Sequence, residues 1–214
     1  MTETLRHGNY DFTQRWFRGS GVPKKWPKYI KEWQPRKALE IGCFEGQTAT
    51  FLLDMCPSVK ELYCIDTWGG SVEHGDGSMG KTWNFVDVEY RFGRNIIDSL
   101  ERRDPRPEVI KLKGFSHRCL SQLIEEHEGT FDWVYIDGSH FSDDVLIDAV
   151  LALKLLRPGG LMIFDDYEWK PHDDMANDVN LPMMGIDAFI KTHKDRHIDV
   201  MEMGYQVFLR KKPS

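Results

Sequence analysis

"KALEIGCFEGQTATFLLDMC", residues 37–56, decides the fold. Its first six residues, "KALEIG", read as a short strand that ends on Gly42. "GQTATFLLDMC" then reads as a helix opened by Gly46 and stopped by Pro57. A strand that enters a helix through a glycine-framed turn is half of a β-α-β unit. Gly42 and Gly46 stand in G-x-x-x-G spacing. Gly42 would let the backbone approach a ligand closely, and Gly46 would open the helix, whose free N–H groups favour anionic groups. The dinucleotide fingerprint G-x-G-x-x-G is absent, because Phe44 holds the place of its middle glycine.

The same alternation runs outward from there. "KKWPKYIKEW" (24–33) precedes it as a short amphipathic helix. "ELYCID" (61–66), "EVIKLKG" (108–114), "FDWVYID" (131–137) and "GLMIFD" (160–165) read as further strands. Helical stretches lie between them, mainly at 82–103, 116–127 and 142–156, with Ser116 and Ser142 as expected N-caps. A last helix near 185–193 precedes "HIDVMEM" and "YQVFLRK", two strands joined tightly around Gly204. Strict alternation with apolar strands predicts an α/β, doubly wound, mostly parallel sheet. The closing strand–turn–strand adds a C-terminal antiparallel hairpin, which makes seven strands. In such sheets ligands bind at the carboxyl ends of the strands, near the switch in strand order. Gly42, Asp66, Gly114, Asp137 and Asp165 all fall there.

Composition narrows the function classes. The chain has 214 residues, a hydrophobic fraction of 41% and a net charge of −6. That is core enough for one domain, and the acidic balance gives a nucleic-acid partner no support. The four cysteines lie far apart without a C-x-x-C pair and read as reduced, mostly buried thiols. No apolar run approaches a membrane span, so the expected setting is the cytoplasm, with no membrane partner.

Several strand-end residues carry chemistry. Asp66 ends the second strand, where an acidic side chain can accept both hydroxyls of a ribose. In "KGFSH" (113–117), Phe115 and Ser116 could flank an adenine, by ring face and by hydrogen bond. Four apolar residues, Leu161 to Phe164, run straight into Asp165 and Asp166. Paired carboxylates at the end of a buried strand repel each other, which calls for something positive nearby. Asp137 ends the neighbouring strand. Adjacent strands lie about 4.8 Å apart, so the three carboxylates can converge. Hard oxygen donors of this kind suit Mg²⁺, Ca²⁺ or Mn²⁺. His140 follows Asp137 by three residues and has the unperturbed pKa, near 6.5, that suits proton abstraction at neutral pH. His172 in "KPHDD" is a second candidate base. The glycine-rich stretch 67–80 reads as a lid or a mobile surface loop. Trp16, Trp26, Trp33 and Trp83 read as pocket wall or core.

These motifs together resemble the class I S-adenosylmethionine-dependent methyltransferases over roughly residues 36–210. "LEIGCFEG" is similar to their first motif, which implies that Glu40 faces the methionine amine, and "YCID" is similar to their acidic second motif. "YIDGSH" and "IFDDY" resemble the metal-dependent O-methyltransferases of the catechol, caffeoyl-CoA and macrocin types. The resemblance implies a Rossmann-like domain over residues 36–214, preceded by an N-terminal helical extension, 1–35. It implies S-adenosyl-L-methionine held by Glu40, Gly42, Gly46, Asp66, Phe115, Ser116 and Asp137. It implies a divalent metal, Mg²⁺ first, on Asp137, Asp165 and Asp166, with Asp137 and His140 catalytic. In the catechol type a lysine stands at the His140 position, and the histidine here is a departure. The implied reaction is O-methylation of a small-molecule hydroxyl, on a sugar or an aromatic diol. A metal-dependent hydroxylase on the same scaffold, an NAD-dependent oxidoreductase and a non-catalytic nucleoside-binding module are the alternatives. A homo-oligomer is compatible with the reading.

Overall fold

A computed structural model describes residues 10–14, 16–70, 84–170 and 181–213. Seven strands form one sheet: β1 (Lys37–Ile41), β2 (Glu61–Asp66), β3 (Glu108–Lys113), β4 (Phe131–Ile136), β5 (Leu156–Phe164), β6 (Ile198–Glu202) and β7 (Val207–Lys211). Their spatial order is β3-β2-β1-β4-β5-β7-β6. The first five strands pair in parallel, and β7 pairs antiparallel with both β5 and β6. This is the doubly wound sheet with a closing hairpin that strand–helix alternation requires.

Among the described residues six helices cover the sheet: α1 (Val22–Trp33), α2 (Gln47–Met55), α3 (Phe85–Glu101), α4 (Ser116–His127), α5 (Ser142–Leu155) and α6 (Pro182–His193). A 3-10 turn at Trp16–Arg18 precedes α1. The first three helices share one apolar core with the near face of the sheet, and the last three share the other. The central strands are apolar on both faces, and Leu39, Leu62, Trp133, Val134, Leu161 and Ile163 are fully enclosed. Two-sided burial is why these strands read as runs rather than as alternation.

Several boundaries differ from expectation, each for a local reason. The helix expected at 24–33 starts at Val22, because Pro23 is accommodated in the first turn, where its missing N–H costs nothing. Pro27 lies inside α1, and Trp26 and Tyr29 around it are buried. Ser116 and Ser142 are first helical residues, not N-caps, and the capping positions fall to Phe115 and Phe141. Ser139 does local work there instead: its hydroxyl accepts the Phe141 N–H and donates to Asp144. The fifth strand begins at Leu156, four residues before its expected start, since the turn signal Pro158-Gly159-Gly160 lies within it.

Strand order reverses between β1 and β4. There the strand ends come very close: Asp137 N donates to Ile41 O at 2.8 Å, and Gly42 N donates to Ile65 O at 2.8 Å. The site lies above this switch point.

Candidate active site

One continuous cavity of about 1010 Å³ opens above the carboxyl ends of β1, β2, β4 and β5. At one end stands the turn between β1 and α2. Gly42 has φ +86°, and a Cβ there would lie 1.9 Å from the Asp137 carbonyl oxygen. The close approach of the ends of β1 and β4 therefore requires a glycine here by itself, and Gly42 also lines the cavity. Gly46 caps α2 at φ +79°. The first N–H groups of α2 have no partner within the helix, and Gln47 and Thr48 line the cavity.

Asp66 organises this turn. Its Oδ2 accepts Cys43 N at 2.9 Å and Phe44 N at 2.8 Å, and its Oδ1 accepts Trp68 N at 2.7 Å. Trp68 closes the ring by donating its indole N–H to Phe44 O at 2.9 Å. A carboxylate offers about four acceptor positions, so one stays open toward the cavity. Phe115 and Ser116 line the same wall. Glu40 does not: it is buried beneath the turn, at strand positions paired with Cys64 and Tyr135. Burial, then the neighbouring Cys64 and Asp66, hold its carboxyl well above the usual range.

The other end of the cavity is acidic. Asp137, Asp165 and Asp166 all reach it. The Tyr135 hydroxyl lies 3.0 Å from Asp137 Oδ2 and makes a short contact with Asp165 Oδ2. It can donate to only one of them, so the second must hold a proton or meet a cation. Burial, then the charges of Asp165 and Asp166, push the Asp137 carboxyl well up. Burial and Asp166 push Asp165 up to about 7. Asp166 adopts φ +57° and turns elsewhere. Its Oδ2 meets His140 Nε2 at 2.9 Å, and its Oδ1 accepts the Tyr205 hydroxyl at 2.5 Å. The three carboxylates thus meet at one end of the cavity without presenting three oxygens within 4.8 Å of one another. Among the described residues only Glu40, Cys43 and Cys64 bring three ligand atoms that close, one oxygen and two sulfurs.

The donor set suits a hard divalent ion. Asp137 and Asp165 offer oxygens on either side of one hydroxyl, and among the described residues no lysine or arginine pairs with any of the three acids. Asp166 would have to release His140 or Tyr205 to join them. The Trp169 ring stacks on His140 at 4.2 Å, with 13° between planes. His172 and residues 71–80 of the glycine-rich stretch lie outside the described residues, as does Trp83. Trp16 lines the cavity, whereas Trp26 is core.

Sequence reading missed Tyr135, Tyr205, Trp169 and Glu45. Tyr135 was findable, since it shares a strand face with Asp137 two residues on. Tyr205 had no sequence signal, because the hairpin alone brings it to Asp166. Glu45 is buried and accepts Thr13 N at 2.7 Å and Thr13 Oγ1 at 2.8 Å, tying the N-terminal segment to the turn.

Comparison with known proteins bears on the family and the fold. A family model described as a methyltransferase domain matches residues 39–167. A probable caffeoyl-CoA O-methyltransferase 3 of Dictyostelium discoideum is 27% identical over 139 residues, 64% of this chain and 46% of that protein. Demethylmacrocin O-methyltransferase of Streptomyces fradiae is 26% identical over 110 residues, 50% of this chain and 28% of that protein. The chain thus spans less than half the length of either relative. Among solved structures, an O-methyltransferase from Bacillus cereus in complex with SAH superposes with TM-score 0.61 at 19% identity, covering 96% of this chain and 84% of that one. MycE, of the mycinamycin biosynthetic pathway, in complex with Mg, SAH and mycinamycin VI, superposes with TM-score 0.57 at 15% identity, covering 94% and 51%. These two likenesses are of fold.

Proposed function

The chain belongs to the methyltransferase-domain family, and on that premise we propose that it moves a methyl group from S-adenosylmethionine to a hydroxyl oxygen of a small molecule, a sugar or an aromatic diol. The observation that carries the proposal is the continuity of the cavity. It joins a turn fit for a nucleoside, Gly42–Thr48 with Asp66, Phe115 and Ser116, to an acidic end fit for a hydroxyl, Asp137, Asp165, Asp166 and His140.

Each group of the chain has a task in that reaction. Asp66 keeps the turn in shape through three backbone N–H groups and has one acceptor position left for a ribose hydroxyl. The exposed Phe115 ring offers a face to a purine. S-adenosylmethionine, when bound, supplies an electrophilic methyl group. His140 takes the hydroxyl proton, held for that task by Asp166 Oδ2 and the Trp169 ring. Asp137 and Asp165 are the residues that would hold a divalent ion, and the ion would lower the pKa of the acceptor hydroxyl. The aromatic side chains of Trp16, Phe17, Phe44, Trp169 and Tyr205 wall the cavity and exclude water from the transfer.

The test is a radiolabelled methyl-transfer assay with a panel of sugar and aromatic diols. Turnover of a diol, loss in excess chelator, recovery with Mg²⁺ or Mn²⁺, and loss in Asp165→Asn with cofactor binding intact are expected. Full turnover in chelator would remove the metal from the proposal. Cofactor binding with no turnover on any acceptor, together with no change in Asp165→Asn, would favour a nucleoside-binding module.

A further inference from the structure

A buried amide stands behind the acidic end of the cavity without a task in the methyl transfer described above. β5 and β7 pair antiparallel, with Ile163 opposite Phe208 and Phe164 opposite Val207. The next position of that register sets Asp165 opposite Gln206. Side chains alternate between the two faces of a strand. Gln206 therefore shares a face with Phe208, and Asp165 shares one with Ile163. Phe208, Ile163 and Tyr135 belong to one core layer. Tyr135 is also the residue whose hydroxyl meets Asp137 and Asp165.

Gln206 is 0% exposed. Among the described residues neither its Oε1 nor its Nε2 has a hydrogen-bond partner. An added Cβ on Gly21 would lie 3.8 Å from Oε1, so the side chain reaches from β7 toward the start of α1. Val22 and Trp26 are fully enclosed on that side of the sheet. A buried amide without a partner is costly, and a methionine of like size would fill the space without that cost. The amide does act on Asp165: it favours the charged carboxylate, against burial and the Asp166 charge. It stands near the acid without bonding it.

We propose that Gln206 is a positioning residue for Asp165: its amide N–H turns onto the carboxylate and fixes the orientation in which Asp165 would hold a divalent ion. The inference rests on the metal reading of the proposed function. Asp165 Oδ1 accepts the Asp166 N–H at 3.0 Å, and its Oδ2 shares the Tyr135 hydroxyl with Asp137. Two ionised acids need a second donor, because Tyr135 has one proton to give. Gln206 supplies it and leaves Tyr135 to Asp137. A neutral amide suits the place. An ammonium or guanidinium there would orient Asp165 as well, but its charge would compete with the ion. Outer partners that hold a ligating carboxylate are worth about 10- to 100-fold in metal affinity.

The test is a titration of the whole chain with Mn²⁺, read by electron paramagnetic resonance and independent of methyl transfer. The unaltered chain should bind Mn²⁺, and Asp165→Asn should lose it. Gln206→Met and Gln206→Leu should each weaken binding by about 10- to 100-fold. Their urea midpoints should not fall, since an unpartnered buried amide has been replaced by apolar atoms. Trp133→Phe removes another buried N–H without a partner from the same core layer and should leave Mn²⁺ affinity unchanged. Mn²⁺ binding in Gln206→Met as tight as in the unaltered chain would overturn the inference. So would an equal loss in Trp133→Phe, or a loss of affinity matched by a fall in the urea midpoint. If the unaltered chain takes up no Mn²⁺, or Asp165→Asn binds it equally well, the metal reading itself fails and the inference with it.

Discussion

Asp66 accepts three backbone N–H groups, so its removal should act on the turn as well as on a ligand. Hydrogen bonds to a charged group are worth about 1.5–3 kcal/mol each. Asp66→Ala should therefore weaken S-adenosylmethionine at least about tenfold by calorimetry, and unchanged affinity would reject the ribose assignment. His140 tests the chemistry. A general base contributes about 10²- to 10⁴-fold, so His140→Ala should slow single-turnover methyl transfer by about a hundredfold with cofactor affinity intact. A near-normal rate would assign the proton to water. Asp148 on α5 gives a pH test away from the acidic end of the cavity. Burial pushes its carboxyl up to about 7, against the Ser116 hydroxyl, which pulls the other way, and its Oδ1 has no hydrogen-bond partner. The unfolded chain loses this proton near the ordinary value of 3.8 and the folded chain only near 7. The folded state thus binds more protons in between, and stability falls as pH rises through that window. Asp148→Asn should be more stable than the unaltered chain by about 1–3 kcal/mol at pH 8 and equal to it near pH 4. Urea unfolding at the two pH values decides it, and an equal difference at both would reject titration as the cause.

At the scale of the element, the turn after β1 is defined by the contact between the ends of β1 and β4. Gly42→Ala combines φ +86° with a Cβ 1.9 Å from the Asp137 carbonyl oxygen, and backbone is on both sides of the clash. Gly129 is the matched control, with φ +68° and nothing within 4 Å of an added Cβ. Gly129→Ala should cost about 1–2 kcal/mol, the ordinary left-handed penalty. Gly42→Ala should cost more than about 4 kcal/mol, as only a short set of mechanisms does. Equal urea midpoints for the two would show that β1 and β4 part easily. The closing hairpin matters for a different reason. It places Tyr205 against Asp166 and its backbone against Tyr167, whose N–H donates to Tyr205 O at 3.0 Å. That contact helps hold Asp166 turned toward His140.

At the scale of the molecule, the N-terminal helix belongs to the folded unit. Trp26 of α1 is 1% exposed and packs edge-on against Trp133 and Tyr135 of β4 at 4.9 Å. Trp26→Ala should cost about 3–5 kcal/mol. Trp26→Phe should cost much less, since the indole N–H has no hydrogen-bond partner. One cooperative melt shifted down in the alanine variant is expected, and a separate early transition would mark residues 16–33 as an independent layer. No described helix is long and apolar enough to cross a membrane. By itself the sequence determined the strand–helix alternation, the parallel sheet, the closing hairpin and the strand-end positions of Gly42, Asp66, Asp137, Asp165 and Asp166. Those are local properties, written in hydrophobic runs and in glycine and proline punctuation. The methyltransferase family was legible from the same strand ends. Only the tertiary structure decided what each side chain meets. It buried Glu40 under the turn, set Gly42 against the end of β4, spent most of Asp66 on backbone N–H groups and set Asp166 against His140 and Tyr205. Such pairings join residues from distant parts of the chain, as with Gly42 and Asp137. They depend on strand order and on backbone angles at single residues, and neither leaves a periodic trace in the chain.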